Sequence, residues 1–582
     1  MQNHPQISSQ EITGLVAALI CVFFLSALTS AQSPVPFVNK PLVPNAVVPG
    51  SGGLTLIVNG AGFVSGSVVL WNGATRSTTF VSSSQLSASI SSADVANAGT
   101  AIVAVRNPSQ QATSNTEFFA ITNPIQNFVT TQVNYPLTLG SQSPAQMITA
   151  DFNGDGMLDV AVLEESNSTI DTLLVLLGNG DGTMRPPAKY LLDGFSLSLT
   201  SGDFNEDGNL DLIATNELSG GTISVLLGNG DGTFQLKPSV PVGRIALSIV
   251  AADFNRDGHL DIAVVTDDIT VLLGKGDGTF QSPIDNPEPA GPYGSVAGDF
   301  NRDGKMDVAV TNIQTPCNVI SVLLGNGDGT LTAPANYSIP ECSPTSIETA
   351  DLNGDGSLDL VVGGVFLNSL IGNGNGSFQT GVAFGPEALL WDTTLGDINA
   401  DGHVDAIGSD QWDHKAAVYF GNGNGTFQDQ VILGSFFQPE QATYGDYNSD
   451  GVPDFAIGEG SSTSNLDLFL QGTFSFVPGI TFSPRKLAFG NVNIGQKAVR
   501  VATVSNSGTS PLTISFFSFQ GNGHEQFTQT NSCHQPLYPG TSCNVTVTFT
   551  PTQVGTFIGG MISHDDTPAG LHRVGLRGVG VQ

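Results

Sequence analysis

The sequence predicts an all-β protein in which a seven-bladed β-propeller lies between two β-sandwiches. The first observation is a motif, Asp-x-Asn-x-Asp-Gly-x-x-Asp, that occurs seven times between Asp151 and Asp454 at intervals of 46 to 52 residues. The second is that an apolar strand, a variable connection, a third strand and a glycine-rich hairpin turn follow each copy. Four antiparallel strands repeated about every 50 residues form a propeller blade.

The first 31 residues have the pattern of an export signal. An apolar run from Leu15 to Leu28 is followed by small residues at Thr29 and Ala31, although no Lys or Arg precedes it. Fourteen apolar residues are too few to span a bilayer comfortably, which disfavours the alternative of an uncleaved anchor. We expect a secreted, extracellular or cell-envelope protein with no transmembrane segment after signal removal.

The net charge limits the classes of partner that we expect, and the cysteine content indicates the cellular compartment. A net charge of −33 disfavours nucleic acid and anionic membrane surfaces as partners. Outside the signal, four cysteines form two sequence-local pairs, Cys317 with Cys342 and Cys533 with Cys543. Two disulfides in an oxidising compartment are the expectation, and four free buried thiols are the alternative.

The segment from residue 32 to 124 is predicted to hold a short Pro-rich linker, to about residue 43, and then a β-sandwich. Alternating apolar runs such as Leu54-Thr55-Leu56-Ile57-Val58 indicate its strands. Gly60-Ala61-Gly62-Phe63, Val69-Leu70-Trp71-Asn72-Gly73 and Val105-Arg106-Asn107-Pro108 resemble the IPT/TIG immunoglobulin-like domains. That resemblance implies a spacer or interaction module, in which Trp71 belongs to the core.

The seven motif copies, called the aspartate loops, predict calcium sites. Each loop has oxygen-bearing side chains at positions 1, 3, 5 and 9 and a glycine at position 6, so a tight turn can direct hard oxygen ligands at one cation. An EF-hand is excluded because position 12 of the first copy is Val162 and the flanking segments are strands. We expect about one Ca²⁺ per blade, with the following side-chain ligands: Asp151, Asn153, Asp155, Asp159, Asp203, Asn205, Asp207, Asp211, Asp253, Asn255, Asp257, Asp261, Asp299, Asn301, Asp303, Asp307, Asp351, Asn353, Asp355, Asp359, Asp397, Asn399, Asp401, Asp405, Asp446, Asn448, Asp450 and Asp454.

The propeller is predicted to span residues 125–476 and to close through its N-terminal strand. The last repeat lacks a fourth strand, while an unmatched strand-like segment from Phe128 to Leu139 precedes the first loop. That segment is expected to complete the seventh blade, leaving no free sheet edge. The glycine turns, such as Gly178 to Thr183, are interpreted as structural hairpins rather than second ion sites.

These repeats resemble the FG-GAP and VCBS repeats, the family that includes the integrin α-subunit propeller. In that family the loop between the first two strands of a blade binds Ca²⁺, which implies the same role for Asp151, Asn153, Asp155, Asp159 and their counterparts. Integrins bind Ca²⁺ in only some of their blades, whereas all seven loops of this sequence contain the side-chain ligands.

A second sandwich is predicted for residues 477–582. Phe482-Ser483-Pro484, Leu487-Ala488-Phe489-Gly490 and Val504-Ser505-Asn506-Ser507-Gly508 resemble the immunoglobulin-like domains of the HYDIN/ASPM type and the related choice-of-anchor domains. Cys533 and Cys543 are expected to form a disulfide that closes one loop of this domain.

A candidate ligand site is predicted on the propeller face opposite the aspartate loops. Connections after strands 1 and 3 of a blade share one face, so the loops and glycine turns lie together. On the other face the position six residues before each loop does not repeat: Ala145, Leu197, Leu247, Tyr293, Thr345, Trp391 and Glu440. Blade six carries Trp412 and His414 as well as Trp391. Together these three side chains could bind a sugar ring or a peptide side chain. The alternative is an insertion that packs its own tryptophan.

Three functions remain open from the sequence. The first is a non-catalytic, calcium-binding protein for extracellular or cell-surface binding or adhesion, with an unidentified protein or glycan ligand. The second is a lectin or polysaccharide-active enzyme on a propeller, and the third is a structural envelope spacer. We expect no enzyme, because the sequence shows no Ser/His/Asp constellation, zinc cluster or phosphate loop.

Overall fold

A computed structural model describes residues 33–108, 113–124, 130–138, 142–166, 171–217, 220–286, 291–314, 318–340, 343–411, 413–436, 438–460, 464–471, 480–506, 512–533, 537, 541–565 and 571–582. The predicted export signal, Cys317, Cys342 and Trp412 lie outside these residues. No helix among the described residues has the length and apolarity needed to span a membrane. The chain divides into two compact units. The second unit comprises Leu468–Gln582 together with the short segments Val129–Asn134 and Asp181–Thr183.

The N-terminal sandwich consists of two sheets, with strand orders β1-β3-β7-β6 and β2-β9-β8-β4-β5. Trp71 is 2% exposed and its ring centroid lies 5.0 Å from that of Phe119, so the prediction that it belongs to the core is confirmed. The strands are β1 Phe37–Val38, β2 Ala46–Val47, β3 Leu54–Ala61, β4 Val68–Trp71, β5 Ala74–Thr75, β6 Ser77–Ser82, β7 Gln85–Ile90, β8 Gly99–Arg106 and β9 Glu117–Ile121.

The Pro-rich segment up to residue 43 is part of this sandwich, and the prediction that it is a linker is wrong. Phe37 and Val38 pair with Ala61 and Gly60 as an edge strand, and Val35, Val38 and Leu42 are buried. Proline content misled the prediction because proline is also tolerated beside edge strands.

Seven sheets follow in the described residues, each built from consecutive antiparallel strands except the seventh. They comprise β11 Gln142–Ala150, β12 Asp159–Ser166, β13 Thr172–Leu176 and β14 Ala188–Leu191; β15 Leu199–Gly202, β16 Asp211–Asn216, β17 Thr222–Gly228, β18 Phe234–Leu236 and β19 Val240–Pro241; β20 Ser248–Ala252, β21 Asp261–Val265, β22 Ile269–Leu272 and β23 Ile284–Asn286; β24 Pro292–Gly298, β25 Asp307–Asn312, β26 Val319–Leu323 and β27 Ala335–Ser338; β28 Ser346–Ala350, β29 Asp359–Gly363, β30 Leu367–Leu370 and β31 Val382–Phe384; β32 Leu390–Gly396, β33 Asp405–Asp410, β34 Lys415–Tyr419 and β35 Val431–Ser435; and β10 Thr130–Thr138, β36 Pro439–Gly445, β37 Asp454–Glu459 and β38 Ser464–Gln471.

The ring closes as the sequence predicts. The seventh sheet has the order β10-β38-β37-β36, so the strand preceding the first loop completes the last blade. The first strand of each blade lies beside that of the next, and β36 lies beside β11. Thr149 of β11 also hydrogen-bonds Thr443 at 2.9 Å and the Tyr447 hydroxyl at 2.6 Å.

Apolar packing between neighbouring blades holds the ring together. The second strand of a blade is buried on both faces; Val160, Ala161, Val162 and Leu163 are all 0% exposed. Each blade also contributes an aromatic or aliphatic residue at position 2 of its aspartate loop. In three cases this residue is a phenylalanine that packs against an aromatic ring of the next blade, at centroid distances of 5.6 to 6.1 Å: Phe152 with Phe234, Phe204 with Phe280 and Phe300 with Phe378.

The C-terminal sandwich has sheets of order β39-β41-β44-β43 and β40-β46-β45-β42. Its core centres on Phe549, whose ring lies 4.9 Å from Phe527 and 5.7 Å from Phe489. Cys533 and Cys543 are joined by a disulfide, with Cα atoms 5.3 Å apart. The strands are β39 Ile480–Ser483, β40 Lys486–Asn493, β41 Ala498–Asn506, β42 Ile514–Asn522, β43 Phe527–Asn531, β44 Ser542–Phe549, β45 Gly555–Asp565 and β46 Leu571–Val581, with a 3₁₀ turn at His524–Gln526.

Candidate metal loops and the axial cavity

All seven aspartate loops adopt one conformation. In the first, Asp151 Oδ2 accepts the Gly156 N–H at 2.8 Å, Asn153 Oδ1 accepts that of Asp155 at 2.8 Å, and Asp155 Oδ1 accepts that of Met157 at 2.9 Å. The same three bonds occur in the other six loops. Backbone N–H groups therefore fix the orientation of the side chains at positions 1, 3 and 5.

The aspartate at position 9 joins the loop to the glycine turn of its own blade. Asp159 is fully buried; its Oδ2 accepts the Phe152 N–H at 3.0 Å and its Oδ1 accepts the Gly178 N–H at 2.8 Å. Five further blades repeat both bonds through Asp211, Asp261, Asp307, Asp359 and Asp405. The loops and turns therefore share a face, as the sequence predicts.

The glycine turns use their own polar side chains internally. Asp231 Oδ1 in the second blade accepts both the backbone N–H of Thr233 at 3.0 Å and its hydroxyl at 2.5 Å. The hydroxyl of the same threonine accepts from Asn229 at 2.9 Å. This arrangement supports the structural interpretation of the turns.

Electrostatics within the loops favour a bound cation. The pKa of Asp261 is raised to about 8 and that of Asp253 to about 6, chiefly by burial and in part by the negative charge of Asp257. Asp253 Oδ1 is also buried without a hydrogen-bond partner. A divalent cation would offset the repulsion among such carboxylates.

The donor set matches Ca²⁺ in type. Carboxylate and amide oxygens are the hard ligands that this ion takes, and a carboxylate oxygen that accepts one N–H keeps a second lone pair. As the side chains stand, no group of three or more His, Cys, Asp and Glu in the described part of the chain is arranged to hold a metal ion. The loop oxygens instead face backbone N–H groups.

A cavity of about 310 Å³ lies between the first strands of the blades, on the face opposite the aspartate loops. It is lined by all seven residues of the non-repeating position: Ala145, Leu197, Leu247, Tyr293, Thr345, Trp391 and Glu440. We call it the axial cavity. Its wall also includes Glu165 and Gln411.

The structure describes two of the three residues predicted as a ligand site on blade six, and the two do not line the same cavity. Trp391 is half-buried in the wall of the axial cavity. His414 is exposed, with a φ of 55°, and is not among the residues that line this cavity. Trp412 lies outside the described residues. Of the predicted cluster, the structure places Trp391 at a site able to enclose a ligand.

Sequence comparisons match the region that carries the loops. The FG-GAP-like repeat family matches residues 151–214, 203–264, 263–310, 312–362 and 397–457, and all seven aspartate loops lie within these segments. The chain contains FG-GAP-like repeats. Residues 478–575 match the HYDIN/CFA65/VesB-like Ig-like domain family. No curated protein matches the chain.

Solved structures similar to this chain include a lectin and a nutrient binding protein. An Agrocybe aegerita lectin, described as recognising non-reducing terminal N-acetylglucosamine, is 20% identical with a TM-score of 0.38; 64% of this chain and 95% of that chain are covered. An auxiliary nutrient binding protein from Bacteroides ovatus is 13% identical with a TM-score of 0.33, covering 75% and 98%. At these scores neither similarity carries an argument about what this protein binds.

The N-terminal sandwich of this FG-GAP-repeat protein covers the loop face, which the sequence did not indicate. The Val35 N–H donates to Asp253 Oδ2 at 2.8 Å, and the Asp351 N–H donates to the Lys40 carbonyl at 2.8 Å. The Phe118 ring lies edge-on to Tyr444 at 5.8 Å. The sandwich is therefore docked on loops three and five rather than acting as a free spacer.

Lys40 enters the centre of the ring from this docked sandwich. It lines a cavity of about 230 Å³ together with Glu117 of the sandwich and Glu348 and Tyr444 of the propeller. Burial alone would lower the pKa of Lys40, but the carboxylates of Glu117 and Glu348 raise it above its ordinary value. The ammonium is thus held charged between two domains. The available sequence signal was that Lys40 is the first basic residue of a chain with 18 in total.

Neighbouring FG-GAP loops also contact each other through positions 4 and 7. Glu206 at position 4 of loop two pairs with His259 at position 7 of loop three. Arg302 at position 4 of loop four donates to Ser357 Oγ at 2.8 Å and to the Asp355 carbonyl at 3.1 Å. The sequence interpretation gave the side chains at positions 4 and 7 no role. The signal that it missed is the complementary polarity of residues 53 to 55 positions apart in the sequence.

Replacing Gly451 with alanine is expected to loosen the docked sandwich. Gly451 has a φ of +86°, and a Cβ there would lie 2.4 Å from the Gly99 nitrogen and 2.5 Å from the Ile121 carbonyl oxygen. Gly208, at the same loop position with a φ of +88°, has nothing within 4 Å of a Cβ. Both Gly→Ala variants lose about 1 kcal/mol to the positive φ, but only Gly451→Ala displaces sandwich backbone.

Hydrogen exchange at the docking bonds measures this difference. Peptides containing the Val35 and Asp351 amides are expected to exchange faster in Gly451→Ala than in Gly208→Ala, because both N–H groups donate across the sandwich–propeller contact. Equal exchange in the two variants would show that this contact does not depend on the close approach at Gly451.

Proposed function

We propose that this FG-GAP-repeat protein is an exported, non-catalytic, calcium-stabilised binding protein whose ligand occupies the axial cavity. The observation that carries the proposal is that all seven non-repeating positions line one cavity, while the aspartate loops and glycine turns repeat almost unchanged. A ring of repeated scaffold around a non-repeated pocket is the arrangement expected of a recognition site on a rigid support.

The division of the two faces supports the same assignment. The N-terminal sandwich packs against the loop face through Val35, Lys40 and Phe118. The axial cavity is on the opposite face, where described residues of this sandwich do not line it. Calcium, when bound, would supply positive charge to the loops and hold the blades in register; ligand contacts would come from the cavity side chains.

Export and an adhesive or binding role complete the proposal. The signal-like segment and the Cys533–Cys543 disulfide both suit an oxidising, extracellular or envelope setting. Ca²⁺ near millimolar concentration in such a setting would load even weak sites, with a Kd on the order of 10⁻⁴–10⁻³ M.

Replacing Trp391 with alanine is expected to weaken ligand binding at least tenfold, because a large aromatic side chain leaves the cavity wall. The measurement is a glycan and matrix-protein array with the purified protein in Ca²⁺, followed by titration of any ligand found. Phe80→Ala is the matched control, since Phe80 is 38% exposed on the N-terminal sandwich. A ligand bound equally well by Trp391→Ala and the unmodified protein would place the binding site elsewhere.

A further inference from the structure

The axial cavity is lined by acidic side chains. The carboxylates are Glu165, Glu348, Asp392 and Glu440, and none of the described residues in its wall is Lys, Arg or His. The wall also holds two large aromatic side chains, Tyr293 and Trp391. This combination differs from the aspartate loops, which present no large aromatic side chain at positions 1, 3, 5 or 9.

The carboxylates differ in exposure: Glu348, Asp392 and Glu440 are half-buried, whereas Glu165 is exposed. The pKa of Glu440 is raised to about 7, chiefly by burial and in part by the Glu165 carboxylate, although hydrogen bonds from Ser143 and Gln411 oppose the rise. Burial also raises the pKa of Glu348, and the Lys40 ammonium opposes that rise. Among the described residues, no salt bridge reaches Glu165, Glu348 or Glu440. Glu165 and Glu440 therefore bring two neighbouring negative charges to the cavity, which a bound cation would stabilise.

The other end of the same channel shows which cation fits. The cavity that holds Lys40 shares Glu348, Asp392 and Gln441 with the axial cavity. There the Lys40 ammonium lies among Glu117, Glu348 and the aromatic Tyr444. The protein's own side chain therefore fills one end of a carboxylate- and aromatic-lined channel with a primary ammonium group.

We propose that the axial cavity binds a small organic ammonium ligand, with the charge between Glu165 and Glu440 and the body of the ligand against Trp391 and Tyr293. This inference rests on the proposed function and specifies its ligand class. A volume of about 310 Å³ suits a compact molecule, such as an amino sugar or a polyamine. Aromatic side chains attract cations as well as apolar surfaces, whereas a neutral sugar leaves the carboxylates without a counter-charge.

Calorimetric titration with a matched pair of sugars tests the inference. Glucosamine carries an ammonium where N-acetylglucosamine carries a neutral amide, and spermidine carries ammonium groups without a sugar ring. In constant Ca²⁺, glucosamine or spermidine is expected to bind at least tenfold more tightly than N-acetylglucosamine. Preference between the first two identifies an amino sugar or a polyamine as the source of the ammonium.

Charge-neutralising variants separate the cavity from the general acidity of the protein. Glu440→Gln is expected to weaken ammonium binding at least tenfold. Asp231→Asn removes the same charge from an exposed glycine turn and is expected to leave binding unchanged. Unaltered thermal unfolding of Glu440→Gln confirms its fold; if it is unstable, Glu165→Gln takes its place.

The possible failures are distinguishable. Absence of ammonium binding, or ammonium binding equal in Glu440→Gln and Asp231→Asn, overturns this inference. Tight N-acetylglucosamine binding that is lost in Trp391→Ala but kept in Glu440→Gln also overturns it, while leaving the proposed function in place. Any ligand that binds independently of Trp391 contradicts the proposed function itself.

Discussion

Chelating calcium is expected to lower the unfolding temperature of the propeller by about 10–20 °C. A site that binds only the folded loop contributes about 1.4 kcal/mol at a free Ca²⁺ concentration ten times its Kd, so seven independent sites contribute roughly 10 kcal/mol. At about 2.1 cal/mol/K of unfolding entropy per residue, a propeller of about 350 residues shifts by roughly 1.4 °C per kcal/mol. Calorimetry with Ca²⁺ and with chelator measures the shift.

Two controls tie this shift to the aspartate loops. Mg²⁺ is expected to restore little of the stability, because it requires near-octahedral geometry and keeps its waters, whereas Ca²⁺ accepts six to eight oxygen ligands. Asp203→Asn combined with Asp207→Asn disables one loop and should remove about one-seventh of the effect. An unfolding temperature that does not change when chelator is added would refute calcium stabilisation.

Local sequence patterns determined the propeller because its repeats are encoded locally. Each blade carries its own turn glycines, strand periodicity and aspartate loop, so the blade number, the closing strand β10 and the shared face of loops and turns followed from spacing. The non-repeating residues before each loop could be placed on one face for the same reason. Their convergence on one cavity needed the ring itself.

Contacts between distant segments escaped the sequence reasoning. Lys40 meets Glu348 across some three hundred residues of chain, and Val35 meets Asp253 across 218. Such pairs leave no periodic signature, since each partner sits in an otherwise ordinary strand or loop. Blade six shows the opposite error: proximity in sequence grouped Trp391 with Trp412 and His414, yet His414 does not line the cavity that contains Trp391.

Replacing the position-9 aspartate of one blade is expected to cost about 2–6 kcal/mol of unfolding free energy even without calcium. Asp307 is fully buried, and its two oxygens accept the Phe300 N–H at 2.9 Å and the Gly325 N–H at 2.7 Å. Asp307→Ala leaves both buried donors without an acceptor, at about 1–3 kcal/mol each. Denaturant unfolding in excess chelator isolates this loss from any effect on metal binding.

The same blade provides the control. Asp328 in the glycine turn is exposed and accepts hydrogen bonds from the N–H and hydroxyl of Thr330, so Asp328→Ala should cost less than about 1 kcal/mol. Equal losses for the two variants in chelator would mean that position 9 matters only as a metal ligand. A large loss for Asp307→Ala alone would show why the two motifs of each repeat occur together.

A Cβ at Gly325 would lie 2.1 Å from the Met306 carbonyl oxygen, so the turn can approach the buried carboxylate only through a glycine. The aspartate loop and the glycine turn would then form one structural unit that folds without calcium, and the proposed calcium site would be built on it.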